Sequence, residues 1–405
     1  MKRLWLIAVA AGAAAALTVG LAGWGSPSSS ASAKKGPISI GALTSLTGNF
    51  TPWGVQVRDG MQLAVKQINA KGGVKGRKLN LVIGDDQSSP TGGIDAFRRL
   101  TEQSHVVAIG GLISSDVALA TARLTEQAHV PMFLVKAGAT QILTSKSRYT
   151  FRTCLPAAAE VAAPIRQYAE KRHFTRVGAI IADYAWGQSI KASMNRVFRH
   201  TKNIKLNIQT APVSTRDFTT YLRNLADFKP QLIVATGHPP GSGAILAQSG
   251  QLGMKAAVTG AYTPWSLVAK AAGPAAYKRY ADFKCQAVAS KGYKTLARQF
   301  LRAYKGDTFF EDDALAGYAI VKIVAQAVGK VGDNSKKIAD YVRSHTFTIP
   351  GYTFPLSWTK WGEIKHARIA FDLLTSGPAP KGLNTGGTWY PKQLSLSKPL
   401  TPAQP

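Results

Sequence analysis

From residue 38 onward, short apolar runs rich in β-branched residues alternate with longer stretches whose apolar positions recur every three or four residues. Ile38–Leu43 predicts a first strand. A helix follows near Val55–Ala70, with a stop at Asn69-Ala70-Lys71-Gly72-Gly73 where glycine can turn left-handed. Strands over Leu79–Ile83, Val106–Ile109 and Pro131–Val135 alternate with helices near Gly92–Gln103 and up to about His129. The rhythm then restarts. Strands Val177–Ile181, Lys205–Gln209 and Leu232–Ala235 precede helices near Ser189–Arg199, Phe218–Phe228 and Ser242–Leu252. Val258–Gly260 and Cys285–Ala289 read as two shorter strands, followed by helical patterns over Leu296–Tyr304 and Ala314–Val328. Thr353–Trp358, a turn at Gly362 and Ala367–Leu373 read as a hairpin. Beyond Ser376 the Gly-, Pro-, Ser- and Thr-rich sequence predicts a loosely ordered tail. Crossovers of this length are what parallel strands require, so the class is α/β with two lobes. Ligands of such sheets sit at the carboxyl ends of strands, and a cleft between lobes is a favoured pocket.

Ahead of this pattern stands a different one. Met1-Lys2-Arg3 is a positive head, Leu4 to Leu21 is uncharged and apolar, and a Gly/Ser/Pro stretch ends at Ala31-Ser32-Ala33. That order predicts a secretory leader, residues 1–33, cleaved after Ala33. The competing reading is an uncleaved anchor, since the run is just long enough to span a bilayer. With no cysteine near the cleavage site, a lipoprotein anchor is not expected. The mature chain is expected in a periplasm or outside the cell.

The 405 residues leave room for two or three domains, and 45% hydrophobic with 18% charged residues is a globular composition. The formal charge is +29, about +27 once Lys2 and Arg3 are removed. The basic residues are scattered in pairs such as Arg98-Arg99, Lys171-Arg172, Lys278-Arg279 and Lys336-Lys337, with no long basic run and no aromatic-interleaved platform. Nucleic acid is therefore not the expected partner, and retention by an anionic envelope is the more plausible consequence.

The chemistry-bearing motifs of enzymes are missing. The seven histidines form no HExxH, and there is no GxSxG, no P-loop and no complete GxGxxG. Two cysteines, Cys154 and Cys285, without a CxxC exclude zinc-ribbon and iron–sulfur sites, so neither a metal nor a cofactor is expected. Export allows these two cysteines to be bonded, and two buried free thiols are the alternative.

Residues 38–90 carry a more specific signal: Leu46-Thr47-Gly48 after the first strand, Trp53-Gly54 opening the helix, INAKGGVKGRKL at 68–79, and Asp85-Asp86 with Pro90. Further blocks are IGGLISS at 109–115, the loop Ala137–Thr140, Phe151-Arg152-Thr153, ADYAWGQS at 182–189 and GYAIVKIVAQAV at 317–328. In these segments, over about residues 38–375, the chain resembles the leucine/isoleucine/valine-binding protein family, type I periplasmic binding proteins that feed ABC importers. The resemblance implies two Rossmann-like lobes joined by a three-strand hinge. The N-terminal lobe would be 36–153 plus 287–350, the C-terminal lobe 154–286 plus 351–375, and the tail 376–405. Cys154 and Cys285 would then lie by neighbouring crossovers, where a disulfide can form. The implied function is extracytoplasmic solute binding for a branched-chain-amino-acid-type ABC transporter, by a monomer that closes on a small molecule and docks on a permease in the inner membrane. Two other readings are a sensing module that hands its signal to a membrane receptor, and a basic envelope-adhesion protein.

The same resemblance names a site. Ser114, with Ser115, falls where a serine at a helix N-terminus holds the ligand carboxylate, and a simple N-cap is the competing role. Gly138, Ala139 and Thr140 fall in the loop that offers a backbone carbonyl and a hydroxyl, with an ST-turn as the alternative. Trp53 and Trp186 match aromatic walls of the pocket, or else are core residues. The departures are at the amine end. Where amino-acid binders carry an acid for the ammonium this chain has Tyr262, and His238 stands in place of a tyrosine. Asp312 and Asp313 could replace the acid or merely face the helix dipole. Lys136, where a small residue or proline is usual, could bind a carboxylate or remain solvated. The missing partner for an ammonium turns the expectation toward a ligand with an acceptor head and an apolar or aromatic body, an amine-free acid or an amide, over a zwitterionic amino acid.

Overall fold

The computed structural model describes residues 36–237, 241–383 and 387–405; the leader, its cleavage site and His238 lie outside the described residues. The first series runs β1 (Ile38–Thr44), α1 (Thr51–Ala70), β2 (Leu79–Asp85), α2 (Pro90–Arg98), β3 (Ile109–Leu112), α3 (Ser115–Ala128), β4 (Met132–Leu134) and β5 (Thr150–Arg152). These strands form one parallel sheet in the order β2-β1-β3-β4-β5.

The second series is α4 (Ala158–Lys171), β6 (Arg176–Ala182), α5 (Ala185–Arg199), β7 (Lys205–Ala211), α6 (Thr219–Ala226), β8 (Leu232–Thr236), α7 (Gly241–Gln251), β9 (Ala257–Thr259), α8 (Trp265–Ala272) and β10 (Tyr280–Lys284). Its strands pair in parallel in the order β10-β9-β8-β6-β7. Three helices follow, α9 (Lys291–Ala303), α10 (Asp312–Val331) and α11 (Ser335–Ser344), then β11 (Ala370–Ser376) and β12 (Trp389–Leu396), which extend the second sheet antiparallel beyond β10. The expected α/β architecture of two Rossmann-like halves is met.

Helix α10 is long and apolar enough to cross a membrane, but it is the central helix of the first half. It lies against α1 at a separation only glycine allows. A Cβ on Gly60 would stand 1.9 Å from the Ala314 carbonyl oxygen, and one on Gly317 2.3 Å from that of Val57. One turn on from Gly317, Ile320 covers Gly110 of β3.

The chain passes between the halves three times: after β5, after β10, and between α11 and β11. Thr353 N–H donates to the Cys285 carbonyl and Ala287 N–H to that of Gly351, which ties the second and third passages together. Cys154 and Cys285 form a disulfide with a Cα–Cα distance of 5.5 Å, linking the first passage to the second.

Three expectations are corrected, and one helix is added. The strand expected over Cys285–Ala289 lies earlier, as β10. Its charged Asp282 and Lys284 break the apolar pattern, yet both are fully buried and paired. Residues 353–358 and 367–373 do not form a hairpin with each other. Pro355 interrupts the first segment, which makes only isolated bridges, and β11 pairs with β10 and β12. The tail is not loose, because β12 joins the sheet and Ser397 and Leu400 N–H groups donate to Ile369 and Ala367. Helix α4 was invisible to the sequence pattern because Pro164 stands inside it.

Candidate functional site

The carboxyl ends of the parallel strands in both halves converge on one narrow cavity. Phe50 precedes α1 and Trp53 stands in its first turn, Ile113 follows β3, and Lys136 follows β4. From the other half come Tyr184 and Trp186 after β6, Thr236 and Gly237 at the end of β8, and Ala261, Tyr262 and Thr263 after β9, with Leu155 from the first passage. Its space is about 30 Å³, room for a water or two and for no organic solute.

The cavity is narrow because the rims of the halves clasp each other. Asp116 at the start of α3 accepts from Ala185 N–H at the start of α5, 3.0 Å away. Ser189 on α5 donates to Gln141 and accepts from Thr140 N–H. Arg216 reaches Asn49, the Phe50 and Tyr184 rings lie 5.4 Å apart, and the Trp186 ring packs on Gly138, where a Cβ would stand 2.4 Å from it. Trp186 is oriented by its own Nε1–H, which donates to Thr236 Oγ1 at 3.0 Å.

Of the residues singled out in the sequence, Trp53, Trp186 and Tyr262 line this cavity; Ser114, Ser115, Gly138, Ala139 and Thr140 sit beside it and do not. Ser114 is buried and caps nothing with its side chain, so the competing N-cap role is absent. Ser115 Oγ accepts from Ala139 N–H. The carbonyls of the 137–139 loop turn inward: Gly138 accepts from Ala158 N–H, and Ala137 and Ala139 accept from Arg152, which is itself paired with Glu363 at 2.8 Å. Arg152 thus sets the shape of that loop from behind.

Lys136 is not solvated. It is 7% exposed, its Nζ lies 2.6 Å from Asp312 and 3.6 Å from Asp313, and it stands over the Tyr262 ring at 4.8 Å. Asp312 and Asp313 are fully buried at the start of α10, behind this lysine and off the cavity wall. Asp312 also faces Lys284, which donates to the Thr263 carbonyl. Burial works against the charge of Lys284, but Asp312 and Asp282 outweigh it and hold its ammonium above the usual range. Burial pushes the Asp313 carboxyl well above the usual carboxylate range, with Lys136 pulling the other way. Cys154, Cys285 and Asp312 also converge, but a disulfide offers no thiolate to a metal.

Sequence reasoning missed Phe50, Tyr184 and the support of Tyr262. Asp282 accepts from the N–H groups of Ala261, Tyr262, Thr263 and Phe283 and from the Tyr280 hydroxyl. It thereby holds Ala261 and Tyr262 at φ of 115° and 67°, where side-chain-bearing residues are rare. The only signal was a pair of charges alternating inside an apolar strand.

Next to this network, Asp372 on β11 stands in register with Asp282, and neither of its carboxylate oxygens has a hydrogen-bond partner. Burial pushes it up to about 8. Glu160, beside the Arg152–Glu363 pair, is pushed up to about 9 by burial and then by Glu363. Both hold protons when folded that the unfolded chain releases above about pH 4.5. The folded state therefore binds more protons, and stability is full at low pH and falls between about pH 5 and 8, by up to about 1.4 kcal/mol per pH unit for each group. Denaturant titrations across that range are expected to show the fall, and Asp372→Asn to flatten it and to be the more stable protein at about pH 8. A stability that climbs over the same interval would contradict this placement of the protons.

A sequence profile of the periplasmic binding protein family matches residues 37–367. A curated relative, Leu/Ile/Val-binding protein homolog 7 of Brucella suis biovar 1 (strain 1330), is 29% identical over 73% of this chain and 77% of its own length. Among solved structures, a leucine-binding protein from Thermotoga maritima superposes with a TM-score of 0.76 at 19% identity, covering 89% of this chain and 99% of that one. An ABC-transporter solute-binding protein from R. palustris in complex with benzoate gives 0.76 at 19% identity, covering 91% and 98%. The chain belongs to the periplasmic binding protein family.

Proposed function

We propose that this protein is the extracytoplasmic solute-binding component of a branched-chain-amino-acid-type ABC importer. Its reading as a clamshell rests on one observation above the others: aromatic and apolar walls from both halves meet one lysine in a narrow cavity at the carboxyl ends of the strands. The moving bodies are 36–153 with 287–350, and 154–286 with the segment from 351 onward. The family's association with small solutes and ABC transporters supports the same reading. So does the range of its structural relatives, one a leucine-binding protein and one bound to benzoate. The mature chain would act as a monomer in the periplasm after removal of residues 1–33, with a membrane permease as its partner and no catalytic step of its own.

A cavity of about 30 Å³ admits no such solute, so the rims must part before binding and close after it. A thermal-shift screen over amino acids, aromatic acids, aliphatic acids and amides is expected to give a hit, since a ligand at 100 times its Kd adds about 2.7 kcal/mol of stability. Small-angle scattering is expected to give a larger radius for the free protein than for the same protein with that hit. A screen without any stabilising solute, or a radius indifferent to the stabilising one, would reject the clamshell.

A further inference from the structure

The cavity wall carries one cation and, among the described residues, no acid. The carboxylates that face this lysine, Asp312 and Asp313, are fully buried and screened by it, and Asp282 is taken up by backbone N–H groups. An ammonium entering the cleft would meet the lysine head-on and would have to give up its water without gaining a counter-charge, at a cost of several kcal/mol. A carboxylate would meet the opposite situation. The Lys136 ammonium has three donors, and one of them goes to Asp312. Tyr262 adds a second group: it is 2% exposed, it lines the cavity, and its hydroxyl has no hydrogen-bond partner. A buried hydroxyl left unpaired is destabilising, and an acceptor in the cleft would relieve it. The remaining wall, Phe50, Trp53, Ile113, Leu155 and Trp186, is apolar.

We propose that Lys136 is the specificity-determining residue of this cleft: it supplies from the chain itself the cation that Asp312 and Asp313 would otherwise take from a ligand, so that the site selects a small organic acid with an apolar or aromatic body and no amine. The carboxylate head is held by Lys136 Nζ and the Tyr262 hydroxyl, and the body lies among the tryptophans. This rests on the solute-binding reading and names its substrate class.

Calorimetric titration separates the two. The wild-type protein is titrated with three amine-free acids, benzoate, phenylpropionate and isocaproate, and with the matching amino acids phenylalanine and leucine. At least one acid is expected to bind, and its amino-acid counterpart at least about 100-fold more weakly, a factor that corresponds to the charge mismatch. Tyr262→Phe, which keeps the ring, is expected to weaken the acid about 10-fold, the worth of one hydrogen bond. Lys136→Met takes the closer of its two cations from Asp312 and can fail to fold, so Lys136→Met/Asp312→Asn, which removes both charges together, is measured beside it. That double variant is expected to keep its circular-dichroism spectrum and lose at least about 100-fold in acid affinity. Amino acids binding as well as or better than their acids, or a double variant that holds the acid as tightly as wild type, would overturn the role of Lys136 and leave solute binding standing. If neither set binds and the wider screen is equally blank, both readings fall.

Discussion

Arg152→Met is expected to cost about 3–5 kcal/mol of stability and to disorder the 137–139 loop. The guanidinium is fully buried, pairs with Glu363 at 2.8 Å, and donates to the carbonyls of Ala137 and Ala139. Removing one member of a buried pair strands the other as an uncompensated charge, and that penalty is the largest part of the loss. Two carbonyls lose their donor as well, at about 1–3 kcal/mol for each one left unpaired. Burial already pushes the Glu363 carboxyl up, and Arg152 opposes that push. Without the arginine the carboxyl would take up a proton on folding, so the deficit should grow as pH rises. Denaturant titration at about pH 5 and about pH 8 measures both effects. Arg152→Met/Glu363→Met, which removes the charge from both partners, should recover the part of the loss that comes from the stranded ion, and the remainder measures the two carbonyls left without a donor. A single variant within about 1 kcal/mol of wild type would mean that the loop is held by something else.

The halves and their parallel strands were legible because each strand carries an apolar run and each crossover a helical period. Ile38–Thr44 and Arg176–Ala182 extend the predicted strands by a residue or two. Reading failed where burial is polar. Tyr280–Lys284 has the composition of a surface segment, and only three dimensions reveal that Asp282 faces backbone N–H groups and Lys284 faces Asp312. The cleft shows the same division. Trp53, Trp186 and Tyr262, all singled out in the sequence, line one cavity. The fate of Lys136 was beyond the sequence, because 176 residues separate it from Asp312 and nothing local pairs them. Asp312 and Asp313 begin a helix, which by itself is explained by the helix dipole; their burial behind a lysine is not. The loop serines show that a motif can mark a position without fixing its contacts: Ser115 is engaged with Ala139, and the Thr140 N–H with Ser189 across the rims.

Asp282→Asn tests whether the strained segment before α8 exists to present Tyr262. Ala261 at φ 115° and Tyr262 at φ 67° each sit in a conformation that costs about 1–3 kcal/mol and persists only under outside constraint. The constraint is Asp282, on which four backbone N–H groups and the Tyr280 hydroxyl converge. Burial pushes this carboxyl up, yet Lys284 and those donors favour the ionised form. An asparagine keeps one acceptor oxygen. Its amide nitrogen would confront either the pair Thr263 N–H and Tyr280 O–H or the trio from Ala261, Tyr262 and Phe283. Two or three charge-assisted hydrogen bonds are lost, at about 1.5–3 kcal/mol each before relaxation, so a net loss of about 3–5 kcal/mol is expected. The segment should then relax to negative φ and withdraw Tyr262 from the cavity wall. Binding of whichever solute the wild type takes should fall further than in Tyr262→Phe, because the ring is lost along with the hydroxyl. Ala261→Gly provides the control. Glycine accepts this φ without strain, so that variant should be as stable as wild type or up to about 1 kcal/mol more so, with affinity unchanged. If Asp282→Asn lost stability but bound the solute normally, Tyr262 would not depend on this carboxylate for its place, and the strain at Ala261 and Tyr262 would have no part in recognition.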